Sequence, residues 1–169
     1  YDACDGVIDF SAPALTEKLL DFCKERRIPL VIGTTGLGEK VLEKTEEYSS
    51  AVPILVSPNM SIGVNVMNRI LEKMAQLLKG YEREIVEIHH NRKVDSPSGT
   101  ALKMSKLIDG ENQLERIYGR EGRVGPRKEN ELGIHAVRGG DVAGEHTVYF
   151  FGKGERLELY QTPLSEIPI

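Results

Sequence analysis

Tryptophan is absent from the 169 residues, cysteine occurs only twice, and aromatic residues make up 6%. Cys4 and Cys23 stand too far apart for a CxxC pair and are too few for a disulfide framework, so their apolar surroundings predict buried free thiols. No apolar run approaches the roughly 18 residues that a membrane-crossing helix needs, and no basic-then-apolar leader precedes the first strand. The expectation is a soluble, cytoplasmic protein that engages no membrane. A basic excess is also missing: 22 Lys plus Arg stand against 26 Asp plus Glu, for a formal charge of −4. That balance argues against nucleic acid as a partner, because phosphate binding normally shows as a basic face. Any anion site must be local. What is present is a globular composition, 40% hydrophobic and 28% charged, with length for one domain or parts of two.

The first third alternates short apolar runs with amphipathic stretches, the pattern of βαβ units in a parallel sheet. Residues 6–10 read as a buried strand, Ser11 as a helix cap, and Pro13 as a first-turn residue ahead of a helix over 14–26. Strands are expected at 29–32 and 54–56, with a helix over 39–49 between them. Gly33-Thr34-Thr35-Gly36 and Ser57-Pro58-Asn59-Met60 then follow successive strands at their carboxyl ends, where open α/β sheets bind ligands. Ordinary turns account for either loop equally well when each is taken alone.

The longest helix is expected over 62–79, with Val66, Ile70, Met74, Leu77 and Leu78 as its core stripe and Gly80 as its stop. Beyond it the period changes. Strands at 84–89, 134–138, 145–151 and 156–160, a helix over 100–108 and a loop-rich stretch over 109–133 predict an α+β domain. The fold class is α/β: a parallel-sheet βαβ domain over 1–59, an α+β domain over 60–161, and a tail over 162–169, which the resemblance described below makes a partial Rossmann domain, a substrate-binding domain and a divergent end.

Chemistry concentrates in residues 84–101, EIVEIHHNRKVDSPSGTA. A strand delivers His89 and His90, a short loop supplies Arg92, Lys93 and Asp95, and Ser98-Gly99-Thr100 opens a helix. A helix start bearing hydroxyls and a glycine is a natural carboxylate or phosphate cradle, although a plain cap fits the same residues. Lys93 adds a full positive charge, and a histidine can give or take a proton near neutral pH. Adjacent histidines on a strand face opposite ways, so one can be a packed residue while the other meets a ligand. His135 and His146 complete the histidine set, but no carboxylate or thiol sits at a recognised metal spacing, and no metal is expected.

This segment closely resembles the signature of the 4-hydroxy-tetrahydrodipicolinate reductases, also called dihydrodipicolinate reductases. The resemblance extends in order through Val7 to Ser11, Gly33 to Gly36, Asn59 with Ser61 to Asn65, Arg120 with Gly122, Gly125 and Arg127, and Arg138-Gly139-Gly140 through Thr147. It implies an NADPH- or NADH-dependent reductase of lysine and diaminopimelate biosynthesis that acts on a cyclic imine dicarboxylate and assembles as a homotetramer through its α+β domain. By the same resemblance, Gly33, Thr34, Thr35, Ser57, Pro58, Asn59 and Met60 line the nicotinamide side of the cofactor. His89 is matched to the proton donor and Lys93 to a second acid that also binds substrate. His90, Gly99 and Thr100 are matched to substrate contacts.

Two departures from the family pattern shape the expectation. The chain opens at Tyr1, on what reads as a later Rossmann strand without the family's Gly-rich diphosphate loop, and it ends in QTPLSEIPI where the family continues into further helices. An incomplete copy with weak dinucleotide affinity is therefore expected. The alternative is a catalytically silent module that binds dicarboxylates or oligomerises; a related aspartate or homoserine dehydrogenase is disfavoured by the His-His-Asn-Arg-Lys segment.

Overall fold

In the computed structural model, which describes residues 4–111 and 113–163, the chain divides into two units, residues 1–60 and 61–169. Residues 164–169, most of the divergent tail anticipated above, lie outside the described residues.

The first unit has the βαβαβ form that its alternating pattern dictates: β1 (Val7–Asp9), α1 (Pro13–Arg26), β2 (Leu30–Ile32), α2 (Glu39–Ser49) and β3 (Ile54–Val56). The strands are parallel in the order β1-β2-β3, with Val7 beside Leu30 and Leu30 beside Ile54. Leu20, Cys23, Leu30, Ile32 and Val41 form its core. Ile8 and Leu55 point the other way, as strand alternation requires, and stand 72% and 57% exposed. Cys4 is only half-buried, unlike the buried Cys23, which corrects the expectation for that thiol.

The expected cap at Ser11 is not formed. Ala12 is the N-cap of α1 and offers no side-chain hydrogen bond. Ser11 turns instead to Asp9, which accepts both its backbone N–H and its hydroxyl. A carboxylate 2% exposed must be saturated with donors, and that demand outweighs a helix cap typically worth about 1 kcal/mol.

The second unit comprises α3 (Ile62–Leu77), β4 (Glu82–His89), α4 (Gly99–Ile108), β5 (Glu115–Ile117), β6 (Glu131–Arg138), β7 (Glu145–Gly152) and β8 (Glu155–Gln161). Its five strands run in the order β5-β6-β4-β7-β8, with β4 parallel to β6 and antiparallel to β7. The short strand β5 falls within the stretch expected to be loop; three residues reading Glu-Arg-Ile carry too little period to announce themselves. Helices α3 and α4 supply Val64, Met67, Leu71, Ala101, Met104 and Ile108 to a core shared with Ile85, Leu132, Ile134, Val148 and Phe150 of the sheet.

Helix α3 buries a different stripe from the one expected. Val64, Met67 and Leu71 are buried, with Met74 and Leu78 packed against them, whereas Val66, Ile70 and Leu77 are exposed. The sequence carries two interleaved apolar rows at helical spacing, and only the row at 64, 67, 71, 74 and 78 meets the core. Ser61 caps this helix by accepting the N–H of Val64, and Ser98 caps α4 by accepting that of Ala101.

Candidate active site

Strand register builds the site. Residues two apart on a strand share a face, so Glu87 and His89 project together from the carboxyl end of β4. Parallel pairing sets Arg138 of β6 beside His89, and antiparallel pairing sets His146 of β7 beside Glu87. The start of α4 brings Ser98 to the same place.

Glu87 is the hub of this cluster and is fully buried. Arg138 donates to it in a two-pronged fork, with Nη2 at 2.7 Å from Oε1 and Nη1 at 2.8 Å from Oε2. The backbone N–H of Ser98 donates to Oε1 at 3.0 Å, and His89 Nδ1 lies 2.5 Å from Oε2. Burial alone pushes a carboxyl pKa up, but the bonds from Arg138, His89 and the Ser98 amide outweigh it and hold Glu87 below its usual range. The carboxylate is therefore ionised and can only accept, so Nδ1 of His89 carries the hydrogen. Its other nitrogen, Nε2, faces Gly144, where a Cβ would stand 2.8 Å away.

Burial lowers the pKa of His89, and the Glu87 carboxylate offsets this only in part. His146, edge-on to His89 with ring centroids 5.2 Å apart, is pushed down to about 4 by burial and by its neighbouring imidazole. Both rings are thus neutral near pH 7.

The loop from β4 to α4 supplies the cations. Lys93 Nζ is 2.7 Å from an oxygen of Asp95, and its side chain keeps 21% of its surface. Arg138 reaches across to the Asp95 carbonyl at 2.7 Å, tying this loop to β6. His90 packs into the turn: its N–H donates to the Val142 carbonyl, and its Nδ1 accepts from the N–H of Arg92. Gly99 is exposed at the start of α4, with open space where a side chain would be, and Thr100 is half-buried beside it. The structure therefore gathers His89, His90, Lys93, Gly99 and Thr100 around one end of β4. Sequence reasoning missed Glu87, Arg138 and His146 as members, although the Glu-x-His spacing on a strand was a usable signal for Glu87.

The other expected residues belong to the first unit, at the carboxyl ends of β2 and β3. Thr34 is buried, its hydroxyl 3.0 Å from Asp9 Oδ2, while Thr35 and Gly36 are exposed. Gly36 has φ +72° and nothing within 4 Å of an added Cβ, which leaves room for a ligand against the backbone. Gly33 is different: the Phe10 ring fills the space a Cβ would take, so packing calls for glycine there and leaves only its backbone to meet a ligand. In the loop after β3 the Ser57 hydroxyl donates to the Asn59 carbonyl at 2.8 Å, Pro58 is exposed, and Asn59 and Met60 are half-buried.

Two further features of the second unit belong to structure rather than chemistry. Glu84, at the opposite end of β4, gathers Arg120, Arg127 and His135; burial would raise its pKa, but these partners hold it at about 2. A cleft of about 480 Å³ lies at the carboxyl ends of α3 and α4. There Arg83 donates to the carbonyls of Ala75, Leu78 and Ile108 and serves as a joint between helix ends. No group of three or more His, Cys, Asp or Glu suited to a metal ion occurs among the described residues, and none of their helices is long and apolar enough to cross a membrane.

Comparison with known proteins gives the family. Residues 1–60 match the family described as "Dihydrodipicolinate reductase, N-terminus", and residues 63–166 match "Dihydrodipicolinate reductase, C-terminus". A 4-hydroxy-tetrahydrodipicolinate reductase of Clostridium tetani is 47% identical over 96% of this chain, which spans 64% of that relative's length. One from Campylobacter jejuni is 43% identical over 98% of the chain and 70% of its own length. Among solved structures, the dipicolinate-bound dihydrodipicolinate reductase of Paenisporosarcina sp. TG-14 superposes with a TM-score of 0.76 at 26% identity, covering 96% of this chain and 63% of that one. Two family matches that together take in nearly every residue, with relatives above 40% identity, place this chain in the dihydrodipicolinate reductase family.

Proposed function

We propose that this chain is part of an NADPH- or NADH-dependent reductase that converts 4-hydroxy-tetrahydrodipicolinate to tetrahydrodipicolinate, in diaminopimelate and lysine biosynthesis in the cytoplasm. The observation that carries the reading is the Glu87–His89 pair beside Lys93 and the open start of α4. A cyclic dicarboxylate needs cradles for its carboxylates and an acid at its ring. The α4 amides at Gly99 and Thr100, with His90 and Lys93, supply the cradle, and His89 supplies the acid through Nε2.

Charge makes the acid workable. Burial disfavours the imidazolium of His89 and keeps the ring neutral near pH 7. A dianion beside it favours protonation, so substrate recruits the proton it needs. A reduced nicotinamide, when bound, would supply the hydride. Gly33, Thr34, Thr35, Ser57, Pro58, Asn59 and Met60 would hold its ring end, with Asp9 fixing the Thr34 hydroxyl. The face of the five-stranded sheet opposite α3 and α4 leaves Val137 and Tyr160 exposed, and it suits docking of further copies into a homotetramer.

Oxidation of NADPH followed at 340 nm, with the unstable substrate generated in situ and the Clostridium tetani relative as control, tests the reading. Calorimetric titration with dipicolinate separates binding from turnover. Turnover supports the reductase. Dipicolinate binding without turnover identifies a silent dicarboxylate-binding module, the competing reading.

A further inference from the structure

We infer that Glu87, clamped by Arg138, is the positioning residue for His89: it fixes which nitrogen of the imidazole carries the hydrogen and which is presented to a ligand. The inference rests on the reading of His89 as the acid and names the group that makes it one.

Four donors converge on the two oxygens of Glu87, two from Arg138, one from Ser98 and one from His89. They come from three separate elements, β6, the start of α4 and β4 itself. A carboxylate so saturated has no freedom to rotate, and with no exposed surface it exchanges no partner with water. The Nδ1 hydrogen is thereby specified, and Nε2 must be the bare nitrogen of the neutral ring.

Gly144 supplies the other half of the arrangement. Its φ of +150° is one that L side chains rarely adopt, and a Cβ there would sit 2.8 Å from Nε2. Glycine keeps the bare nitrogen accessible while Glu87 holds the ring from behind. Arg138 does two things at once. Its fork orients Glu87, and its bond to the Asp95 carbonyl holds the Lys93 loop, so the acid and the neighbouring ammonium share one anchor. A lysine at 138 could keep the charge but not the fork.

Nitrogen-15 and carbon-13 spectra of the histidine rings in the 169-residue chain test this without requiring turnover. In the unsubstituted chain neutral His89 is expected as the Nδ1–H tautomer. Glu87→Gln should turn it into a mixture of tautomers and lower its titration midpoint by about one pH unit, since a supporting anion is lost. Arg138→Lys should give a smaller shift in the same direction. His135, bonded to Glu84 elsewhere in the sheet, reports whether the fold is intact.

Tautomer and midpoint unchanged in Glu87→Gln, with the His135 signal intact, would overturn the inference. Should Glu87→Gln lose the His135 signal, Glu87→Asp decides: it keeps the charge but draws it back by one methylene. A mixed tautomer there supports positioning, and an unchanged one overturns it. Dipicolinate added to the same samples tests the functional reading separately. If it moves no resonance of His89 or His90 while Glu87→Gln still alters the tautomer, the substrate assignment fails and the positioning role stands.

Discussion

The hydroxyl oxygen of Ser98 lies 3.2 Å from Nε2 of His146 and also accepts the N–H of Ala101 at 3.1 Å. A hydroxyl has one hydrogen and two lone pairs, so Ser98 holds the Ala101 N–H and still partners a neutral His146 ring in either tautomer. Burial, which pushes His146 down to about 4, keeps that ring neutral.

This arrangement predicts a specific pH dependence of stability. The folded pKa of about 4 lies below the ordinary value of 6.5, so the unfolded chain takes up this proton first as pH falls. Stability from the group is complete above pH 6.5 and declines as pH drops toward 4, by roughly 3 kcal/mol in all at 1.36 kcal/mol per unit. Urea midpoints measured from pH 8 to pH 4 should show that decline, and His146→Gln should flatten it. A parallel decline in both proteins would exclude His146 as its source.

Glu84 should act over a lower window. Its folded pKa of about 2 is depressed from 4.5, so its contribution is fully present above pH 4.5 and is lost as pH falls through 2. Glu84→Gln is expected to be less stable than the parent at pH 7, by a few kcal/mol, because Arg120, Arg127 and His135 lose one common partner. The gap should close on acidification. A gap that stays constant from pH 7 to pH 2.5 would mean that the ion cluster contributes nothing to it.

Gly144→Ala combines an unfavourable φ with a contact of 2.8 Å to a ring nitrogen. A loss of about 1–3 kcal/mol is expected from the backbone alone, together with a displaced His89 ring. Thermal melts give the first quantity and the His89 carbon shifts the second. Wild-type values of both would show that the neighbouring backbone has slack.

His89→Gln should reduce NADPH oxidation by about 10²- to 10⁴-fold, the usual worth of a positioned acid. Dipicolinate affinity should change much less, since the cradle at Gly99, Thr100 and Lys93 remains. Steady-state rates beside calorimetry separate the two. Equal losses in both would reassign His89 to binding.

The architecture was readable because period and length carry it. Three apolar runs separated by helices of 14 and 11 residues leave little choice but parallel strands. The failures have local causes. Ser11 looks like a cap until the buried Asp9 is seen to need its donors. Val66 and Ile70 look like core until the competing row through Val64, Met67 and Leu71 is seen to win.

At the site, His89, Lys93 and the α4 start lie within one run of sequence and could be read together. Arg138 and His146 could not. They arrive through strand pairing, which joins positions about fifty residues apart and leaves no trace in a local motif.

Strand β4 also separates two kinds of interaction by its length. The Glu84 cluster gathers toward one end and the Glu87–His89 group at the other, on opposite faces of the sheet, because the three steps from 84 to 87, about 10 Å at 3.3 Å per residue, are odd in number. The long excursion between β5 and β6 returns to the sheet at the Glu84 end, where Leu132 pairs with Arg83. Insertions and deletions in that excursion therefore act first on the Glu84 cluster, whose Arg120 and Arg127 it carries, while a single-residue slip of β6 against β4 would dismantle both ends together.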